Sequence, residues 1–219
     1  TTLFRSITDY FFTTSEVANA NLLNAGVKKE QIFFVGNVMI DTLLANRPKF
    51  SKPTIFDQLA LKEKGYLMLT MHRPANVDTA DKLKKTMQEI VNNVQGMPVI
   101  FPMHPRTAKI FSDLGIEAEN LFIVNPMGYL EFNYLVEKAK AVITDSGGIT
   151  EETTVMGVPC ITLRDNTERP ETIAIGTNVL IGTAPENIKP TLDKLFNGHW
   201  KKGGIPELWD GKAAERIVA

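Results

Sequence analysis

Six short runs of near-continuous apolar residues stand out along the chain: GYLMLTMH (65–72), MPVIFPMHP (97–105), NLFIVNP (120–126), AKAVITD (139–145), VPCITL (158–163) and TNVLIG (177–182). Their length and enrichment in branched and aromatic residues predict buried strands. Between them the apolar spacing changes period. Leu83, Met87, Ile90, Val91 and Val94 trace one face of a helix after the first run, and YLEFNYLVEKA (129–139) predicts another. Strands that are apolar on both faces and separated by helices imply a parallel sheet covered on both sides, because parallel strands need crossover connections. The prediction is a doubly wound, Rossmann-like α/β domain. Upstream, YFFTTSE (10–16) predicts a strand running into a helix capped at Ser15 and ending at Gly26, and QIFFVGN (31–37) predicts a further strand. NRPKFSKP, residues 46–53, breaks every period and predicts a linker.

In a doubly wound sheet, ligands gather beyond the carboxyl ends of the strands. The polar, Gly- or Pro-bearing loops fall at those ends: MHRPANVD (71–78), MHPRT (103–107), NPMGYLEF (125–132), DSGGITEE (145–152) and RDNTERPE (164–171). The fourth invites comparison with protease nucleophile loops, but those need a mostly β chain. Here AVITD precedes the glycines as a strand, and Ile149, Thr153 and Met156 follow at helical spacing. A helix beginning at Gly147 and Gly148 offers backbone N–H groups and a positive dipole end to an anion. An ordinary helix start, with Ser146 as N-cap and Glu151 and Glu152 in the first turns, fits the same residues.

Composition removes several other classes. With 219 residues, 43% of them hydrophobic, the chain can build one large or two small domains. A formal net charge of -1 gives no electrostatic case for nucleic acid or an anionic membrane surface. The lone Cys160 excludes an internal disulfide framework, and His72, His104 and His199 are too widely spaced for a recognisable metal site. A reducing cytoplasm fits this usage. No apolar run approaches the roughly 20 residues of a membrane span, and the opening TTLFRSITDY lacks the order of a signal peptide.

Taken together and in order, MHRPANVD, DSGGITEE and RDNTERPE resemble the non-hydrolysing UDP-N-acetylglucosamine 2-epimerase family. The resemblance extends to VGNVMIDTLL (35–44) and DGKAAERI (210–217), and so covers essentially the whole chain. It implies a glycosyltransferase-B-like pair of Rossmann-like domains with the nucleotide sugar between them. It also implies interconversion of UDP-GlcNAc and UDP-ManNAc by elimination of UDP to a 2-acetamidoglucal and re-addition, with no nicotinamide and no required metal. The full-length protein is then expected to be a homodimer. By this resemblance residues 42–219 are the carboxyl-terminal UDP-binding domain and residues 1–41 a remnant of the amino-terminal one. The family's carboxylates that move the C2 proton belong to that other domain and are expected to lie outside this chain.

The resemblance also assigns roles. Ser146, Gly147 and Gly148 match the diphosphate-binding turn. Glu152, one turn on, matches the acceptor for two ribose hydroxyls, while Glu151 is expected as a solvated surface charge. Arg169, fixed by Pro170, would contact the leaving diphosphate, the alternative being a surface ion pair with Glu168 or Glu171. His72 would make a second leaving-group contact, with Arg73 and Asn76 fixing its loop. The family usually has Glu where this chain has Ala75. Phe132 matches the aromatic of the uracil pocket, with core packing as its plain alternative, and Met127 and Gly128 sit where some members carry polar residues. His104 matches a histidine of a regulatory site in some bacterial members, a role not carried over here. A glycosyltransferase of the same architecture and a non-catalytic nucleotide-sugar sensor remain the rival functions.

Overall fold

The structure, a computed structural model, describes residues 7–73, 76, 79–103, 111 and 115–219. It divides into two compact units, residues 1–48 with 205–219 and residues 49–204. The division falls between Pro48 and Lys49, inside the predicted linker.

In the first unit, β1 (Phe11–Thr13) and β2 (Ile32–Phe34) pair in parallel. Ser15 caps α1 (Glu16–Asn24) by accepting from Ala18 N at 3.3 Å, and Gly26 takes φ 83° just beyond its end, as the sequence predicts. The last fifteen residues return to this unit. The reason is a set of long-range polar contacts. Asp41, in α2 (Val38–Asn46), accepts from Ala213 N at 3.1 Å and Ala214 N at 2.7 Å. Trp209 Nε1 donates to Thr14 O at 2.9 Å, and Arg216 Nη1 to Val35 O at 3.0 Å.

The second unit holds a six-stranded, all-parallel sheet of β3 (Leu67–Thr70), β4 (Val99–Pro102), β5 (Leu121–Val124), β6 (Ala141–Thr144), β7 (Cys160–Thr162) and β8 (Asn178–Leu180). Its spatial order is β5-β4-β3-β6-β7-β8. The six predicted runs are these six strands, and the doubly wound prediction holds. Their continuous apolar character follows from burial on both faces. Leu67 and Leu69 enter one core cluster while Tyr66 and Met68 enter the other; Ala141 and Ile143 divide from Val142 in the same way. On the first face the strands meet α3 (Ala80–Asn93) through the buried Leu83, Met87 and Ile90. On the second they meet α4 (Tyr129–Lys138) through Leu135 and Val136. Each such side chain contributes roughly 1.5–3 kcal/mol by leaving water.

The strand order fixes where a ligand site can form. The chain runs outward from β3 through β4 to β5, then crosses back so that β6 pairs with β3 from Leu67↔Ala141 to Thr70↔Thr144. The loops after β3 and β6 therefore leave in opposite directions, opening a crevice at the carboxyl edge between them. Both loops carry residues predicted to act on the ligand. Among the described residues, no helix is long and apolar enough to cross a membrane.

Candidate functional site

The crevice is organised by Asp145, the residue just after β6. Its carboxylate is fully buried and accepts from the backbone N–H groups of His72 (3.0 Å to Oδ2) and Arg73 (2.9 Å), and from Asn76 Nδ2 (3.1 Å). His72 Nδ1 lies 2.9 Å from Asp145 Oδ1, and Arg73 Nε donates to the Asp145 carbonyl at 3.1 Å. Asn76 also donates to Leu163 O at 3.0 Å, tying the same loop to the end of β7. One acid thus holds the loop after β3 and turns the His72 ring, whose side chain is 63% exposed, so that Nε2 is the nitrogen not taken by Asp145. Arg73 and Asn76 fix this loop, as their pattern suggested. Asp145 carries no assignment in the sequence, although it opens the glycine motif.

The glycines begin α5 (Gly147–Met156), which ends on the left-handed Gly157. Ser146 occupies the N-cap position with extended φ and ψ, yet its side chain makes no capping hydrogen bond. Its own N–H is taken by Thr144 Oγ1 at 2.9 Å, and Thr144 is in turn 2.7 Å from Thr70 Oγ1 across the β3–β6 pair. The ordinary-cap alternative for Ser146 is therefore not the arrangement present. A helix start without a side-chain cap retains donors for an anion, worth up to about 2 kcal/mol in favourable geometry. A Cβ placed on Gly148 would meet nothing within 4 Å, so the space above the turn is open.

Glu151 and Glu152 on this helix are buried, and Glu151 departs from its predicted place on the solvated surface. Arg169 stands at the N-cap of α6 (Pro170–Ala174), a helix that packs against α5 and covers that face. Glu151, 3% exposed in its side chain, pairs there with Arg169 Nε, and Arg169 Nη1 donates to Glu168 O at 3.2 Å. The carboxylate of Glu168 goes instead to Arg164, which binds it through both Nη atoms at 2.9 and 2.7 Å. Arg164 is buried and Glu168 is 62% exposed. Neither Arg164 nor Glu168 carries a predicted contact with the ligand.

That fork holds the Glu168 carboxyl at about 2, down from the ordinary 4.5, chiefly through the hydrogen bonds from Arg164. A carboxyl depressed on folding adds stability that is complete above its unfolded value and lost as pH falls through the folded one. The pair is thus expected to persist on acidification from about 4.5 to about 2. Solvent screening keeps its contribution to global stability small. Carbon-13 NMR of the Glu168 carboxyl reads this directly, and a midpoint near that of a free glutamate would show that the fork does not hold in solution.

Glu152 faces the other way, toward α4. Its Oε1 accepts from Tyr129 Oη at 2.9 Å. The buried amide of Asn133, one turn beyond Tyr129, lies beside the same carboxylate but outside hydrogen-bond geometry. Burial pushes the Glu152 carboxyl up, and the Tyr129 hydrogen bond opposes that shift; burial and the neighbouring Glu152 push the Tyr129 phenol up as well. Met127 and Phe132 pack half-buried on the second core cluster at the start of α4. Phe132 thus combines the core packing weighed for it with a partly open face. His104 lies outside the described residues. Among the described residues, no three His, Cys, Asp or Glu side chains gather as a metal-ligand set.

Comparison with known proteins adds an independent line. A family model described as UDP-N-acetylglucosamine 2-epimerase matches residues 2–219. The UDP-N-acetylglucosamine 2-epimerase of Methanocaldococcus jannaschii is 37% identical over 97% of this chain and 60% of its own length. A Pseudomonas aeruginosa relative, a UDP-2,3-diacetamido-2,3-dideoxy-D-glucuronate 2-epimerase, is 36% identical over 97% of this chain and 59% of its own. A crystal structure of a M. jannaschii UDP-GlcNAc 2-epimerase in complex with UDP-GlcNAc and UDP superposes with a TM-score of 0.79 at 36% identity, covering 96% of this chain and 60% of that one. The chain spans about 60% of the length of these relatives. The second unit is thus one Rossmann-like half of a glycosyltransferase-B-like fold.

Proposed function

The chain belongs to the UDP-N-acetylglucosamine 2-epimerase family, and from its carboxyl-edge crevice we propose that it is the UDP-binding part of a longer enzyme that interconverts UDP-GlcNAc and UDP-ManNAc. The observation that carries the proposal is the glycine-led start of α5, left without a side-chain cap at the β3–β6 switch point. Ser146, Gly147 and Gly148 receive the diphosphate there. Glu152 accepts from the ribose, and Met127 and Phe132 take the uracil. His72 and Arg169 act on the departing diphosphate. An elimination builds negative charge on UDP as the C1–O bond breaks, so a cation whose contact strengthens with that charge lowers the barrier. Arg169 is prepared for this by Glu151, and His72 by Asp145, since a side chain already oriented loses less freedom when the charge appears.

In the parent protein we propose a cytoplasmic homodimer in which residues 1–41 are part of the amino-terminal Rossmann-like domain. The Pseudomonas aeruginosa relative acts on a different UDP-sugar by its name, which supports UDP as the common element of recognition and leaves the sugar to the rest of the cleft. Most of the affinity is then expected to come from the diphosphate. Calorimetry should give UDP tightest, UMP weaker and uridine weakest. Equal affinity for all three would remove the anion-binding turn from the proposal.

A further inference from the structure

Resting on the UDP-binding proposal, we infer that Arg164 is a further diphosphate ligand and that the Glu168 carboxylate holds its place while the site is empty. Geometry carries the inference. A Cβ built on Gly147 would lie 3.7 Å from Arg164 Nη1 and 3.9 Å from Glu168 Oε2, so the ion pair rests against the first residue of α5. Beside it is a cavity of about 150 Å³ lined by two guanidinium-bearing residues, Arg73 and Arg164, together with Asn76 and Asn166. Asp165 also lines it, with its Oδ1 accepting from Thr183 N at 3.1 Å. A buried guanidinium facing a cavity at an anion-binding turn needs an anion, and in this structure the chain supplies its own.

The two partners differ in their freedom to move. Arg164 is 7% exposed in its side chain, while Glu168 is 62% exposed and sits on the loop before α6. A carboxylate so placed can swing into water, and the arriving anion offsets the cost of leaving the buried guanidinium. Arg164 would then offer the same two Nη donors to a phosphate, whose oxygens match the fork as a carboxylate does and carry more charge. Arg73, close enough to help lower the Glu168 carboxyl, adds a second positive group to the exchange. Glu168 in this role keeps a buried cation compensated until ligand arrives, and it sets a threshold that uridine, lacking phosphate, does not cross.

The prediction separates this role from mere loop support, because removing a stabilising ion pair should tighten binding. Calorimetry on the whole chain with UDP, inorganic pyrophosphate and uridine is the test. Glu168→Gln should bind UDP and pyrophosphate roughly three- to ten-fold tighter. Arg164→Gln should bind both roughly ten-fold weaker or worse, with Arg164→Lys between it and the parent sequence. Uridine affinity should be the same in all. If Glu168→Gln, folded by circular dichroism, binds UDP no tighter than the parent sequence, or if Arg164→Gln leaves UDP affinity intact, the exchange is wrong. Should Arg164→Gln not fold, Glu168→Gln still decides. Failure of the wider UDP proposal looks different: the parent sequence itself would bind UDP no better than uridine.

Discussion

Asp145→Ala is expected to cost the second unit about 3–5 kcal/mol of stability, the scale of breaking a buried charged network from one side. The Coulomb term is not the main reason, because the imidazole facing Asp145 is 63% exposed and water screens it. The loss comes from donors left behind. His72 N and Arg73 N point at the carboxylate, and Asn76 Nδ2 divides its two hydrogens between it and Leu163 O; a donor orphaned away from water costs about 1–3 kcal/mol. The same change frees the loop that carries His72, so UDP binding should weaken in whatever fraction stays folded. Asp145→Asn keeps the shape and one acceptor oxygen but turns its amide toward donors, and should fall between. Urea unfolding followed by tryptophan fluorescence and far-UV circular dichroism measures both. A loss below about 1 kcal/mol for Asp145→Ala would mean that water or relaxation satisfies those donors, and Asp145 would not be the organiser of the crevice.

The sheet was legible because each strand shows its burial locally: Tyr66, Leu67, Met68 and Leu69 are apolar without a break because alternate residues enter opposite cores. The glycine turn was legible for the same kind of reason, a change from strand to helix period within a few residues. What stayed hidden depends on residues far apart in the chain. Asp145 meets His72 across 73 positions, and Asp41 caps the last helix across 172; no local spacing encodes either meeting. Glu151 looks like a surface charge on its own helix, and only the packing of α6 against α5 buries it against Arg169. Arg164 and Glu168 lie four apart in a loop, where that spacing carries no helical meaning, so their fork emerges only from the backbone path after β7.

This chain, given UDP-GlcNAc, is expected to bind it and leave the C2 hydrogen in place. Moving that proton requires an acid or base free to reach it within hydrogen-bond distance. Among the described residues at the carboxyl edge, Asp145 is committed to the His72 loop, Glu151 to Arg169, Glu152 to Tyr129, Asp165 to Thr183 and Glu168 to Arg164. Glu168, once displaced by the phosphate, turns into water, as its exposure favours. The contacts proposed for Ser146, Gly147, Gly148 and Glu152 would hold substrate and transition state about equally, and uniform binding does not speed the chemical step. Proton NMR of UDP-GlcNAc in D2O with the chain at high concentration measures the outcome. The C2 signal should decay no faster than in the protein-free control, and no UDP-ManNAc should form, while the uracil and anomeric resonances broaden on binding. Exchange above the control that Arg169→Ala abolishes would place the proton-moving group within these residues. Since Arg169 is what pairs with Glu151, the first carboxylate to replace would then be Glu151.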